Sequence, residues 1–103
     1  MSTLDMIEAA ATRLQGHVRE TPLLTSPFLD EIAGRRVLVK PECLQHTGSF
    51  KFRGAWSAIS ALDESARARG VIAYSSGNHA QGVAYAAAQH GTSSVIIMPS
   101  DAP

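Results

Sequence analysis

Cysteine occurs once in the 103 residues, at Cys43, so no internal disulfide can staple the chain, and a reducing, cytoplasmic setting is expected. Charge of one sign is lacking too: nine Lys and Arg balance nine Asp and Glu. Without a net field the protein has little to draw it to nucleic acid or to an anionic membrane, and a small neutral or zwitterionic ligand fits better. No apolar run nears the roughly 20 residues of a spanning helix. Asp5 and Glu8 interrupt what would have to be the apolar core of a signal peptide. No Cys/His group has zinc-ligand spacing, no Walker-type loop occurs, and the eight glycines form no cluster. Repeats, low-complexity tracts and linkers are absent as well. What is present is 45% hydrophobic, enough for one modest core and too little for two.

Leu4, Ile7, Ala11 and Leu14 recur at helical spacing, with Ser2 or Thr3 as N-cap candidates and Gly16 just past the end, which predicts an amphipathic helix over 4–15. Thr21-Pro22-Leu23-Leu24 reads as extended, because proline biases its predecessor away from the helical region. Ser26-Pro27 opens a short helix that stops near Gly34. Val37-Leu38-Val39 fits a buried strand or a buried helical turn. From Phe52 the apolar positions Ala55, Trp56, Ile59 and Leu62 form one helix face, with Arg53, Ser57 and Ser60 off it. The runs at 71–74 and 95–98 have strand length, and an alanine-rich helix lies between them from about His79 to His90. Apolar strands without polar alternation, separated by helices, predict a parallel α/β sheet covered on both faces. Glu64, Arg67 and Arg69 read as a solvated stretch, Cys43 as a small buried residue, and His17, His46 and His90 as solvated.

Two loops carry chemistry. In Gly48-Ser49-Phe50-Lys51, Ser49 is the expected cap of the following helix, which puts Lys51 in its first turn. A cation is disfavoured at the positive end of the helix dipole, the direction that favours an amine nucleophile over a solvated ammonium. Gly48 permits close backbone approach and Phe50 offers an apolar wall. In Ser75-Ser76-Gly77-Asn78-His79 a strand feeds a helix, so backbone N–H groups without helical partners point outward beside the donors of Ser75, Ser76 and Asn78. A carboxylate suits such a terminus, although an ordinary capped helix start would read the same way.

The stretch containing Glu42, Thr47, Ser49, Phe50, Lys51, Phe52, Arg53, Gly54 and Ala55 resembles the attachment signature of the serine/threonine dehydratases, fold-type II pyridoxal-phosphate enzymes. SSGNHAQG, at 75–82, resembles the second signature of that family, and its histidine points to the threonine dehydratase and serine racemase branch rather than to cysteine synthases, which usually carry threonine there. Two signatures at this separation are far more specific than one. The resemblance implies a partial three-layer αβα parallel sheet of the tryptophan-synthase-β-like type. It also implies that Lys51 carries pyridoxal phosphate as a Schiff base and acts as a base. Phe50 would pack near the cofactor ring, Asn78 would bind its 3-hydroxyl, and 75–79 would receive the substrate carboxylate.

The activity implied is dehydration of L-threonine or L-serine to a 2-oxo acid and ammonia. Ser76 matches the serine that exchanges a proton in serine racemases, where dehydratases often have alanine, so serine racemase and threo-3-hydroxyaspartate dehydratase stay open. A noncatalytic module that binds small carboxylates or a partner is the reading from another class. The family's glycine-rich phosphate loop has no match, so residues 1–103 are expected to be the N-terminal part of a catalytic region, inactive alone and homo-oligomeric at full length.

Overall fold

The structure, a computed structural model, describes residues 3–103. Helix α1 spans Leu4–Leu14; the Thr3 side chain caps it by accepting from the Met6 N–H, and Ser2 lies outside the described residues. Strand β1 (Leu24–Thr25) precedes α2 (Pro27–Ala33), which Ser26 caps through the Leu29 N–H and Gly34 ends at φ 65°. Strand β2 (Leu38–Val39) follows, then two 3₁₀ turns, Glu42–Leu44 and His46–Gly48. Helix α3 (Lys51–Ser60), α4 (Glu64–Ala68), β3 (Val71–Tyr74), α5 (Asn78–Gln89) and β4 (Ser94–Ile97) complete the chain.

The sheet expectation needs two corrections. The strands β3 and β4 are parallel, in register Val71↔Ser94 to Tyr74↔Ile97, as a βαβ unit requires. The 37–39 run does not join them: β2 pairs antiparallel with β1, and Leu38 and Val39 stay exposed, because a tight Gly34 turn folds this segment back on its own neighbour. Nor is the parallel pair covered twice. Val71, Ala73 and Ile96 pack on the core, whereas Ile72, Tyr74, Val95 and Ile97 face outward, Tyr74 at 85% exposure. Two-residue alternation across a pleat produces this division when helices lie on one side only.

The core forms where α3 crosses α5. Phe52, Ala55, Trp56 and Ile59 meet Val83, Ala86 and Ala87, with Leu14 the sole buried residue of α1. The expected apolar face of α1 is thus mostly exposed. Polar contacts dock it instead: the Trp56 indole N–H donates to the Arg13 carbonyl at 3.3 Å, and the Arg13 guanidinium donates to Ser57 Oγ at 3.0 Å. Ser57, placed off the core face by spacing, is buried to make that bond.

His17 is exposed, as the sequence suggests, whereas His46 and His90 are half-buried rather than solvated. The His17 ring stacks on Trp56 at 4.4 Å and His90 lies against Trp56 at 4.1 Å, so an indole is held between two imidazoles. Burial pushes the His90 imidazole down from its ordinary value of 6.5, as do Arg67 and His17, against an opposing backbone contact with Trp56. The unfolded chain therefore takes up a proton as pH falls through about 6.5 while the folded chain resists it, and stability drops below that pH. Urea unfolding followed by the fluorescence of Trp56, the single tryptophan, is expected to show lower stability in mild acid than at neutral pH. His90→Phe is expected to flatten the difference.

Candidate active site

The loop before α3 is irregular by necessity. Thr47 sits at φ 61° and Gly48 at φ 74°, two consecutive left-handed residues that reverse the chain between the 3₁₀ turns and the helix. Ser49 is extended and accepts from the Lys51 N–H at 3.3 Å, so its hydroxyl satisfies a first-turn donor as the sequence predicts. Phe52 then enters the core. One residue earlier on the helix, Lys51 is directed away from it and stays exposed. Its Nζ lies 5.2 Å from the centroid of the Phe50 ring, which is itself 61% exposed.

The second loop leaves the C-terminal end of β3, where the Ser75 N–H still donates to the Ile97 carbonyl at 3.0 Å. Ser75 Oγ accepts from the Gly77 N–H at 3.3 Å, and α5 begins at Asn78. Gly77 occupies the cap position, so no side chain satisfies the first N–H groups of α5. An ordinary capped terminus is therefore not what this sequence builds. Unpaired N–H groups at the positive end of a twelve-residue helix form a seat for an anion.

Both loops open onto one cavity of about 650 Å³, lined by Lys51, Ile72, Ala73, Tyr74, Ser75, Ser76 and His79. Lys51 and three of the five carboxylate-loop residues are thus brought together. Phe50, Gly77 and Asn78 border the same two loops without lining the cavity. Gly82 fixes the spacing: a Cβ there would meet the Lys51 carbonyl carbon at 3.1 Å and the Phe52 nitrogen at 3.2 Å. The helix that starts at the serine loop consequently rests its second turn directly on the lysine's backbone.

Residues that spacing did not single out hold the lysine loop. The Arg53 guanidinium donates twice to the Glu42 carboxylate, at 2.7 and 2.8 Å, and the Thr21 hydroxyl donates to the same carboxylate at 2.7 Å. The Arg53 hydrogen bond, helped by Thr21 and Gln45 and opposed by partial burial, holds the Glu42 carboxyl down at about 2. Gln45, 2% exposed, accepts from the Arg19 N–H and donates to the Arg19 carbonyl, both at 2.9 Å. His46 packs edge-on against Phe52 and stacks on Tyr85, half-buried and away from the cavity. Cys43 is exposed, contrary to expectation, because the short 3₁₀ turn that carries it has no buried face.

An amine beside an aromatic ring, on a residue that shares a cavity with the loop opening an uncapped helix, fits an aldehyde cofactor and a carboxylate guest. Comparison with known proteins agrees. Residues 14–103 match the family described as pyridoxal-phosphate dependent enzyme. The chain belongs to that family. Among its members, an L-threo-3-hydroxyaspartate ammonia-lyase of Pseudomonas sp. is 50% identical over 103 residues, all of this chain and 32% of that protein. An L-threonine ammonia-lyase of Thermotoga maritima is 48% identical over 103 residues, 100% of this chain and 26% of its own. The solved serine racemase of Dictyostelium discoideum superposes with a TM-score of 0.94 at 42% identity, covering 98% of this chain and 33% of that one. The fold is therefore that of the fold-type II pyridoxal-phosphate enzymes, represented by a small part of its sheet. The chain spans about a third or less of the length of the curated relatives it matches.

Proposed function

We propose that these residues form the cofactor-attachment and carboxylate-binding half of an ammonia-lyase that converts L-threonine or L-serine to a 2-oxo acid and ammonia. The observation that carries this reading is the shared cavity, which Lys51 lines together with Ser75, Ser76 and His79 of the loop that opens α5. Bound pyridoxal phosphate supplies an electron sink for a carbanion at the substrate α-carbon. Lys51 Nζ is its point of attachment, Phe50 an apolar wall beside its ring, and Asn78 the partner of its 3-hydroxyl. The N–H groups of Asn78 and His79, with the Ser75 and Ser76 hydroxyls on the loop that Gly77 shapes, bind and orient the substrate carboxylate. With the cofactor bound, the Lys51 amine would take the α-proton and the resulting ammonium would return a proton to the β-hydroxyl, which would leave as water.

The phosphate cradle and the partner of the pyridine nitrogen have no counterpart among the described residues, so the 103-residue chain is proposed to be inactive alone and to act within a longer, homo-oligomeric, cytoplasmic polypeptide. Ser76 favours a second reading. Ser76 lines the cavity with Lys51, and a second proton-transfer group there would permit racemisation. L-threo-3-hydroxyaspartate is a further candidate substrate. A noncatalytic small-carboxylate module is the reading from outside enzymology.

Incubation with pyridoxal phosphate followed by borohydride reduction separates these classes. Mass spectrometry is expected to place the reduced adduct on Lys51, and the near-ultraviolet imine absorbance is expected to vanish in Lys51→Ala. Absence of a Lys51 adduct would leave the noncatalytic module standing.

A further inference from the structure

The turn that delivers Lys51 is strained. Thr47 is β-branched and left-handed at φ 61°, a costly conformation that persists only where the surroundings over-determine it. Its hydroxyl is buried without a hydrogen-bond partner, so no local side-chain bond offsets that cost. Something outside the turn must hold it.

The Glu42–Arg53 pair spans that turn. It joins residues eleven apart, closing the segment 42–53 into a ring that contains Thr47, Gly48, Ser49 and Lys51. The closure is bidentate, which fixes direction as well as distance. Both partners are mostly shielded, with side chains 15% and 28% exposed, so the pair is screened less than a surface ion pair. The ring is also anchored. Glu42 accepts from Thr21, Gln45 pairs with both backbone groups of Arg19, and Lys40 donates to the Thr21 carbonyl at 2.8 Å. Arg53 lies two residues past Lys51 in the first turn of α3, so rotation of the helix start would move both together.

We infer that Glu42, acting through Arg53, is a positioning residue for Lys51: the ion pair holds the strained 47–49 turn in the one geometry that aims the lysine amine into the cavity. This rests on the reading of Lys51 as the cofactor-attachment residue. Neither Glu42 nor Arg53 lines the cavity with Lys51, so their effect passes through the backbone.

The chain carries its own control. Lys40 and Lys51 are its only lysines, and Lys40 is occupied by the Thr21 carbonyl. The ratio of pyridoxal-phosphate adduct at Lys51 to that at Lys40, after brief exposure and borohydride reduction, reports lysine presentation within one molecule. Glu42→Gln and Arg53→Met are expected to lower that ratio about tenfold, the scale of a small misplacement of a reacting group, while Arg53→Lys retains part of it. Each variant is assayed at a temperature where its circular dichroism matches the parent, and again in 8 M urea, about where structure no longer presents either lysine. A purely structural role would leave the ratio at the parent value in the folded variants, and that result overturns the inference. Equal labelling of both lysines in the unsubstituted chain overturns the Lys51 assignment itself, and Glu42's role with it. Strong Lys51 preference in the parent, unchanged by all three variants, overturns the positioning role alone.

Discussion

Gly82→Val is expected to destabilise the chain by about 3 kcal/mol, the upper end of the usual range for overpacking a filled interior. The atoms that a Cβ at 82 would meet are the Lys51 carbonyl carbon and oxygen and the Phe52 nitrogen, at 3.1–3.2 Å. These are backbone atoms inside a helix, unable to swing aside as a side-chain tip could. Alanine would add the Cβ alone; valine adds two methyl groups at the same place. The helices α3 and α5 must then part, and the contacts among Phe52, Trp56, Val83 and Ala86 loosen with them. The separation also acts on the site, because α5 starts at the carboxylate loop and α3 starts at the lysine. Urea unfolding monitored by Trp56 checks the stability loss, and the Lys51 adduct yield checks the site. A variant with unaltered stability would mean that α5 tolerates a side chain at this crossing.

Much of the helical order is legible in the sequence because it rests on local chemistry. Ser26-Pro27 and Gly34 bracket α2 as cap and left-handed stop, and Gly91 at φ 67° follows α5. Spacing places Phe52, Ala55, Trp56, Ile59 and Leu62 on one face; the structure buries the first four, while Leu62 lies past the helix end at Ser60 and is half-buried. The parallel pairing of β3 with β4 follows from strand-length apolar runs on either side of a helix.

What escaped the sequence depends on contacts distant in the chain. Nothing in the composition of 37–39 says that it pairs with 24–25 rather than with 71–74; register and partner are set by the Gly34 turn and by which surfaces meet. Period-two burial along β3 is likewise invisible in Val-Ile-Ala-Tyr, where both faces are apolar. Glu42 and Arg53 stand eleven residues apart across a loop, a separation that no helical or strand period connects. The two loops of the candidate site, by contrast, are each recognisable as loop-to-helix junctions in the sequence, and their common cavity follows once β3 and α3 pack on the same helix.

The two phenylalanines that flank Lys51 are expected to respond oppositely to removal. Phe52→Ala should cost about 3–5 kcal/mol, the range for emptying a buried aromatic site, because Phe52 is 1% exposed. Its ring packs against His46, Trp56 and Tyr85 at centroid distances of 4.9, 5.7 and 5.6 Å, so three partners lose a neighbour at once. Phe50→Ala should change stability by less than about 0.5 kcal/mol, the usual limit for a surface substitution away from structural features. Helical rotation produces the contrast: residues two apart project about 200° from one another, so only one of the two can enter the core behind the lysine. Thermal unfolding of both variants measures the difference. The same pair separates structure from chemistry at the site. Phe52→Ala should weaken Lys51 presentation together with the fold, whereas Phe50→Ala should leave the melting curve in place and, on the proposed reading of Lys51, shift the absorbance of a cofactor attached there, since its mostly exposed ring borders the amine. Equal destabilisation by both substitutions would require Phe50 to be a core residue, against its exposure.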